Sequence, residues 1–143
     1  MGETMVRVED KTPRVVCVED DETMIDLVKF MLNMKGFDVV GARSGQEALK
    51  LIPSTRPDLV LLDIMMPEMD GWEVYQQMKA DDYMRTIPVI VVTAKAQPID
   101  EVLARKIAKV DDYVTKPFTP RDLEARIQKV LVDSSRVAEQ APA

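Results

Sequence analysis

Residues 58–62 read DLVLL and are followed by Asp63, and this stretch decides the fold. Its apolar residues run consecutively, without the polar–apolar alternation of a half-exposed strand. Four other short runs share the habit: RVVCV (14–18), FDVV (37–40), PVIVV (88–92) and DYVT (112–115). Strands that are apolar on both sides are central strands of a parallel sheet, covered by helices on each face.

The segments between these runs carry helical spacing. Met24, Leu27, Val28, Met31 and Leu32 fall at i, i+3, i+4, i+7 and i+8, and Leu123, Ile127, Val130 and Leu131 nearly repeat that stripe. Helix starts are marked by Ser44 with Glu47 as a capping box, by Asp70 ahead of Gly71, and by Thr119 ahead of Pro120. Gly36 sits where the first helix should stop. Further helices are expected over 98–109 and 119–132. The pattern predicts (βα)5, an α/β doubly wound five-stranded parallel sheet with right-handed crossovers. In such a sheet a site forms at the carboxyl ends of the strands.

The chain has 143 residues, enough for one ordinary domain, expected over 13–132 between polar tails at 1–12 and 133–143. Its 25 acidic and 19 basic residues give a formal net charge of −6, so no direct nucleic-acid contact is expected of it. It contains no histidine, which excludes histidine general bases, Ser-His-Asp triads and imidazole metal sites within the chain. The single cysteine, Cys17, allows no internal disulfide and reads as a small buried hydrophobe. No apolar run approaches the roughly 18 residues of a membrane helix, and the N-terminus lacks a secretory signal. A cytoplasmic location without membrane contact is expected.

The strand ends converge on one chemistry. After the first run come Glu19, Asp20 and Asp21; the third ends at Asp63, the fourth at Thr93, and the fifth is followed by Lys116-Pro117. Two carboxylates about 4 Å apart repel by about 4 kcal/mol at an effective dielectric near 20. Lys116 offsets part of that repulsion, and a divalent cation would offset the rest. Oxygen-only ligands select a hard cation, and few carboxylates with room for water favour Mg²⁺. A carboxylate facing a cation, a hydroxyl and an ammonium is a phosphoryl-acceptor site, with Asp63 as nucleophile. Taken singly each piece is ordinary. An acidic run after a strand is commonly a helix start, and Lys-Pro is commonly a turn. Only the convergence carries the reading.

Four stretches in order, VVCVEDDE (15–22), LVLLDIMMPEMDGWEV (59–74), IPVIVVTAKA (87–96) and DDYVTKPF (111–118), resemble the receiver domain of two-component response regulators, the CheY-like domain. The resemblance implies strand order 2-1-3-4-5. It implies Asp63 as phosphoacceptor, with Thr93 and Lys116 contacting the phosphoryl group. The implied metal ligands are Glu19, Asp20, Asp63 and the backbone carbonyl of Met65, holding Mg²⁺, with Glu19 acting mostly through water. Thr93 and Tyr113 would form the switch, Tyr113 turning inward on activation, and the Lys116-Pro117 bond is often cis. The acidic pair is Glu-Asp where the family usually has Asp-Asp, and Lys109-Val110 stand where Gly-Ala is frequent.

The expected function is a phosphorylation-controlled signalling switch in a phosphorelay. The phosphoryl group would come from a histidine kinase or histidine phosphotransfer protein, in keeping with a chain that lacks histidine. The resemblance implies that the positions two residues after Asp63 and Thr93 tune attack by water; Met65 and Lys95 stand there and offer no carboxylate or amide to position it, so slow self-dephosphorylation is expected rather than turnover as an enzyme. The output surface is expected over 96–106, Tyr113 and 121–125, the face of the fourth helix, fifth strand and fifth helix, for a partner or as a homodimer contact. Two rivals differ in class. An aspartate-nucleophile phosphohydrolase would want a second Asp where Met65 stands, and a flavodoxin-like binding module would want a phosphate loop where the acidic run stands. Trp72 reads as packing, and Lys106 and Lys109 as a solvated face.

Overall fold

The computed structural model describes residues 12–66, 69–94 and 103–140. The element order is β1 (Arg14–Val18), α1 (Glu22–Asn33), β2 (Asp38–Ala42), α2 (Gly45–Thr55), β3 (Leu59–Asp63), α3 (Gly71–Ala80), a 3₁₀ turn (Met84–Thr86), β4 (Val89–Thr93), a π-helical segment (Leu103–Ala108), β5 (Asp112–Thr115) and α4 (Pro120–Gln140). All strands pair in parallel in one sheet of order β2-β1-β3-β4-β5, as the family resemblance implies.

Side chains alternate across the sheet into two apolar layers. Val16, Val18, Val60, Leu62, Val89 and Val91 pack toward α2 and α3 with Ile52, Val74 and Met78. Val15, Cys17, Leu59, Leu61, Ile90 and Val92 pack toward α1 and α4 with Val28, Leu32, Leu123 and Ile127. Burial on both faces is why the strands read as unbroken apolar runs. Cys17 is buried in the second layer, and burial pushes its thiol pKa up to about 12.

The helix starts fall where the caps predicted them. Ser44 Oγ accepts from Glu47 N–H, Asp70 from Glu73 N–H, and Thr119 Oγ1 from Asp122 N–H. Asp21 accepts from Thr23 N–H, so the third acid of the run after β1 is the α1 cap. Gly36 takes φ 89° after α1, the left-handed turn expected of it.

Four details differ from the sequence reading. The buried stripe of α1 is Ile25, Val28, Met31 and Leu32, while Leu27 is 44% exposed. Ile25 is drawn in because β2 carries Gly41 opposite it, where any Cβ would meet its Cγ2 at 2.6 Å. The fourth crossover holds a π-helical segment over Leu103–Ala108 rather than a fifth α-helix; the rest of the expected helix lies outside the described residues. Lys109 ends that segment at φ 57°, adopting the left-handed conformation that glycine takes at no steric cost. Finally, α4 continues past Val132, where a tail is expected, to Gln140.

Candidate functional site

The register of the sheet assembles the site. Val18 pairs with Leu62, so the residues that follow, Glu19 and Asp63, emerge side by side. Asp63 pairs with Val92, which places Thr93 one step further along β4, and Thr93 pairs with Thr115 of β5. Lys116 follows, its N–H donating to the Thr93 carbonyl at 2.8 Å, and the Lys116-Pro117 peptide is cis.

Asp63 is 5% exposed, Glu19 4% and Thr93 fully buried, whereas Asp20 is exposed. The Lys116 ammonium donates to Glu19 Oε1 at 2.6 Å and to Asp63 Oδ2 at 3.2 Å. The other Asp63 oxygen, Oδ1, accepts from Met65 N–H at 2.8 Å, and Glu19 Oε2 accepts from Asp21 N–H at 3.2 Å. Both buried carboxylates are thus oriented through both of their oxygens.

The electrostatics follow from burial. Desolvation drives the Glu19 pKa up, the Lys116 hydrogen bond opposes it, and the nearby Asp63 charge raises it again, leaving it at about 7. For Lys116, burial works against the ammonium, but the Glu19 hydrogen bond and the two carboxylates outweigh it, so its pKa is raised. The ammonium stays charged, and Glu19 is the group that yields.

Glu19, Asp20 and Asp63 each offer a carboxylate oxygen, and these oxygens lie within 4.8 Å of one another. An all-oxygen set holding an excess of negative charge fits a hard divalent cation.

The chain matches the response regulator receiver domain family over residues 15–128. This chain belongs to that family. Among curated relatives, it is 39% identical over 118 residues to the alkaline phosphatase synthesis transcriptional regulatory protein PhoP of Bacillus subtilis, covering 82% of this chain and 48% of the relative. It is also 39% identical over 125 residues to the probable transcriptional regulator ycf27 of Guillardia theta, covering 87% of this chain and 48% of the relative. The chain therefore spans about half the length of the curated relatives it matches. Similar solved structures include the receiver domain of a signal transduction histidine kinase from Syntrophus aciditrophicus, with 34% identity and TM-score 0.76 over 85% of this chain and 91% of that one. Another is a CheY-like receiver domain protein from Methanospirillum hungatei, with 31% identity and TM-score 0.78 over 88% of this chain and 98% of that one.

As a response regulator receiver domain, the chain belongs to a family of phosphorylation-controlled signalling domains of two-component systems that histidine kinases phosphorylate, and the phosphohydrolase alternative is not favoured. The expectation of no nucleic-acid contact gains no support here, because both curated relatives are named as transcriptional regulators. Among the described residues, no helix is long and apolar enough to cross a membrane.

The structure brings Glu19, Asp20, Asp63, Thr93 and Lys116 to one edge of the sheet. Tyr113, on β5, is buried at 4% exposure. Lys95 and the 96–102 part of the expected output surface lie outside the described residues. Sequence reasoning missed Gly71 as more than a helix start. A Cβ on Gly71 would fall against the Asp63 carbonyl oxygen and the Ile64 Cα, so α3 begins flush against the backbone that carries Asp63. The clue in the sequence is a glycine placed directly after a cap, where glycine has no helical merit.

Proposed function

We propose that Asp63 is the phosphoacceptor of this receiver domain and that Lys116 and Thr93 contact the incoming phosphoryl group. The observation that supports it is the Lys116 ammonium within hydrogen-bond reach of one Asp63 oxygen while Met65 N–H holds the other. An Asp63 oxygen forms the new bond to phosphorus as the bond to a partner's phosphohistidine nitrogen breaks. The electron pair leaves with the imidazole. Lys116, released in part from Asp63, turns to a phosphoryl oxygen, and the buried Thr93 hydroxyl stands on the neighbouring strand to meet another. Glu19, Asp20, Asp63 and the Met65 carbonyl would hold Mg²⁺, which supplies neutralisation of phosphoryl charge when bound.

The donor is a histidine kinase or a histidine phosphotransfer protein, which places the chain in the cytoplasm. The output is a conformational signal rather than turnover, delivered through Tyr113, β5 and the start of α4 to a partner or a second copy of the domain. Residues 13–132 are the receiver unit in this reading. Incubation with acetyl phosphate and Mg²⁺ should add one phosphoryl mass, and Asp63→Asn should abolish the addition. Undiminished labelling of Asp63→Asn would overturn the assignment. Thr93→Ala should accept phosphate yet transmit the change poorly.

A further inference from the structure

The buried tyrosine of α3 has no part in the chemistry above, and its position gives it another task. Tyr75 is 6% exposed and lies one turn after Gly71, which abuts the Asp63 backbone. The Trp72 ring meets its ring edge-on at a centroid distance of 6.2 Å, and the Lys79 ammonium lies 5.2 Å from its centroid. Lys79 is itself tied to the Arg85 carbonyl at 3.2 Å. The ring is therefore held in place by its own helix, and its hydroxyl points to one target. That target is the carbonyl of Ala108, 33 positions on, which accepts from the hydroxyl at 2.8 Å.

Ala108 ends the π-helical segment of the fourth crossover. The last carbonyls of any helix lack a partner from within it, and here a side chain of another helix supplies one. The next residue, Lys109, is left-handed at φ 57°, and Val110 N–H returns to the Ala104 carbonyl at 2.9 Å. π-helical turns are rare, are mostly single-turn bulges, and frequently mark functional sites. The same segment places Ala104 in the core, and its Arg105 lies 3.4 Å from the Tyr113 carbonyl and 3.5 Å from Asp112. One hydrogen bond thus connects the helix whose first residue abuts the Asp63 backbone to the segment that flanks Tyr113.

We propose that Tyr75 is a positioning residue that couples the Asp63 end of α3 to the π-helical crossover beside β5, a route separate from Thr93 and Tyr113. The inference rests on the phosphoacceptor reading of Asp63. When Asp63 and its backbone shift, Gly71 and α3 shift with them, and the Tyr75 hydroxyl carries that movement to Ala108.

The test uses Tyr75→Phe, which removes only the hydroxyl, in amide hydrogen exchange and in chemical-shift mapping with beryllofluoride and Mg²⁺. In the free protein, exchange of the Val110 amide should quicken about fivefold, the loss expected of one hydrogen bond, while the Val60 amide in the central sheet is unmoved. Equal changes at both amides, or none at Val110, would overturn the proposal by showing a uniform structural role or no tie. With beryllofluoride, Tyr75→Phe should bind within twofold of wild type. Its shift response at Ala108 to Val110 should fall below half of the wild-type response while the Tyr113 response persists. An undiminished response at Ala108 to Val110 refutes the coupling. If wild type fails to bind beryllofluoride, the phosphoacceptor reading fails first, and the coupling falls with it.

Discussion

The Lys116 ammonium lies 2.6 Å from Glu19 Oε1, although the two residues are 97 positions apart. Lys116 follows β5 and Glu19 follows β1, with β3 and β4 between them. At about 4.8 Å per strand the gap is about 14 Å. Two long side chains close it over the ends of the intervening strands. Asp63, on β3, lies 3.2 Å from the same ammonium through its Oδ2. The resting pair therefore offsets part, not all, of the negative charge gathered at the site.

Lys116→Met removes the ammonium and leaves two buried carboxylates facing each other. Loss of one partner of a buried pair costs about 3–5 kcal/mol. Urea unfolding in EDTA should show that loss at pH 8 and a smaller one at pH 5.5, where Glu19 takes up a proton. Acetyl phosphate labelling of Asp63 should also fall. Equal stability to wild type at pH 8 would contradict the resting pair.

Glu19 predicts a pH dependence of its own. Its folded pKa of about 7 lies above the ordinary 4.5, so the metal-free folded state binds the proton more tightly than the unfolded chain. That contribution to stability is complete below pH 4.5 and is lost as pH rises to about 7. Relative to Glu19→Gln, wild type should lose about 3 kcal/mol across that window and then level off. A difference that is flat from pH 4.5 to 7 would show that folding does not raise the Glu19 pKa.

Divalent metal should reverse part of that loss. Binding only to the folded state, Mg²⁺ at a hundred times its Kd adds about 2.7 kcal/mol. Thermal melts at pH 7.5 should rise with Mg²⁺ in wild type and barely move in Asp20→Ala. Metal-free Asp20→Ala should melt at or above wild type, because one source of repulsion is gone. A wild-type melt insensitive to Mg²⁺ counts against the site.

Gly71→Ala sets two magnitudes against each other. Helix propensity favours alanine by about 1 kcal/mol. The new Cβ, however, meets backbone atoms of Asp63 and Ile64, which cannot swing aside as a flexible side chain would. Forcing such a shift costs about 1–3 kcal/mol. We expect net destabilisation and slower acetyl phosphate labelling; a stabilised, normally labelled variant would show that the backbone of Asp63 has slack.

Sequence alone determined the strands, because parallel strands buried on both faces write themselves as unbroken runs of Val, Ile and Leu. It determined the starts of α2, α3 and α4, because a cap is a local hydrogen bond between residues two or three apart. It also named Glu19, Asp20, Asp63, Thr93 and Lys116, since each falls at a strand end and strand ends converge. The tertiary structure alone decided which of these carboxylates are buried. Burial depends on what α1, α4 and the loops lay over the strand ends, and no local pattern encodes it. It also decided that Ile25 rather than Leu27 faces the core, through a glycine on β2. The left-handed Lys109 belongs there too, since a hydrogen bond from Tyr75 and the packing of Ala104 hold a turn that the lysine itself disfavours.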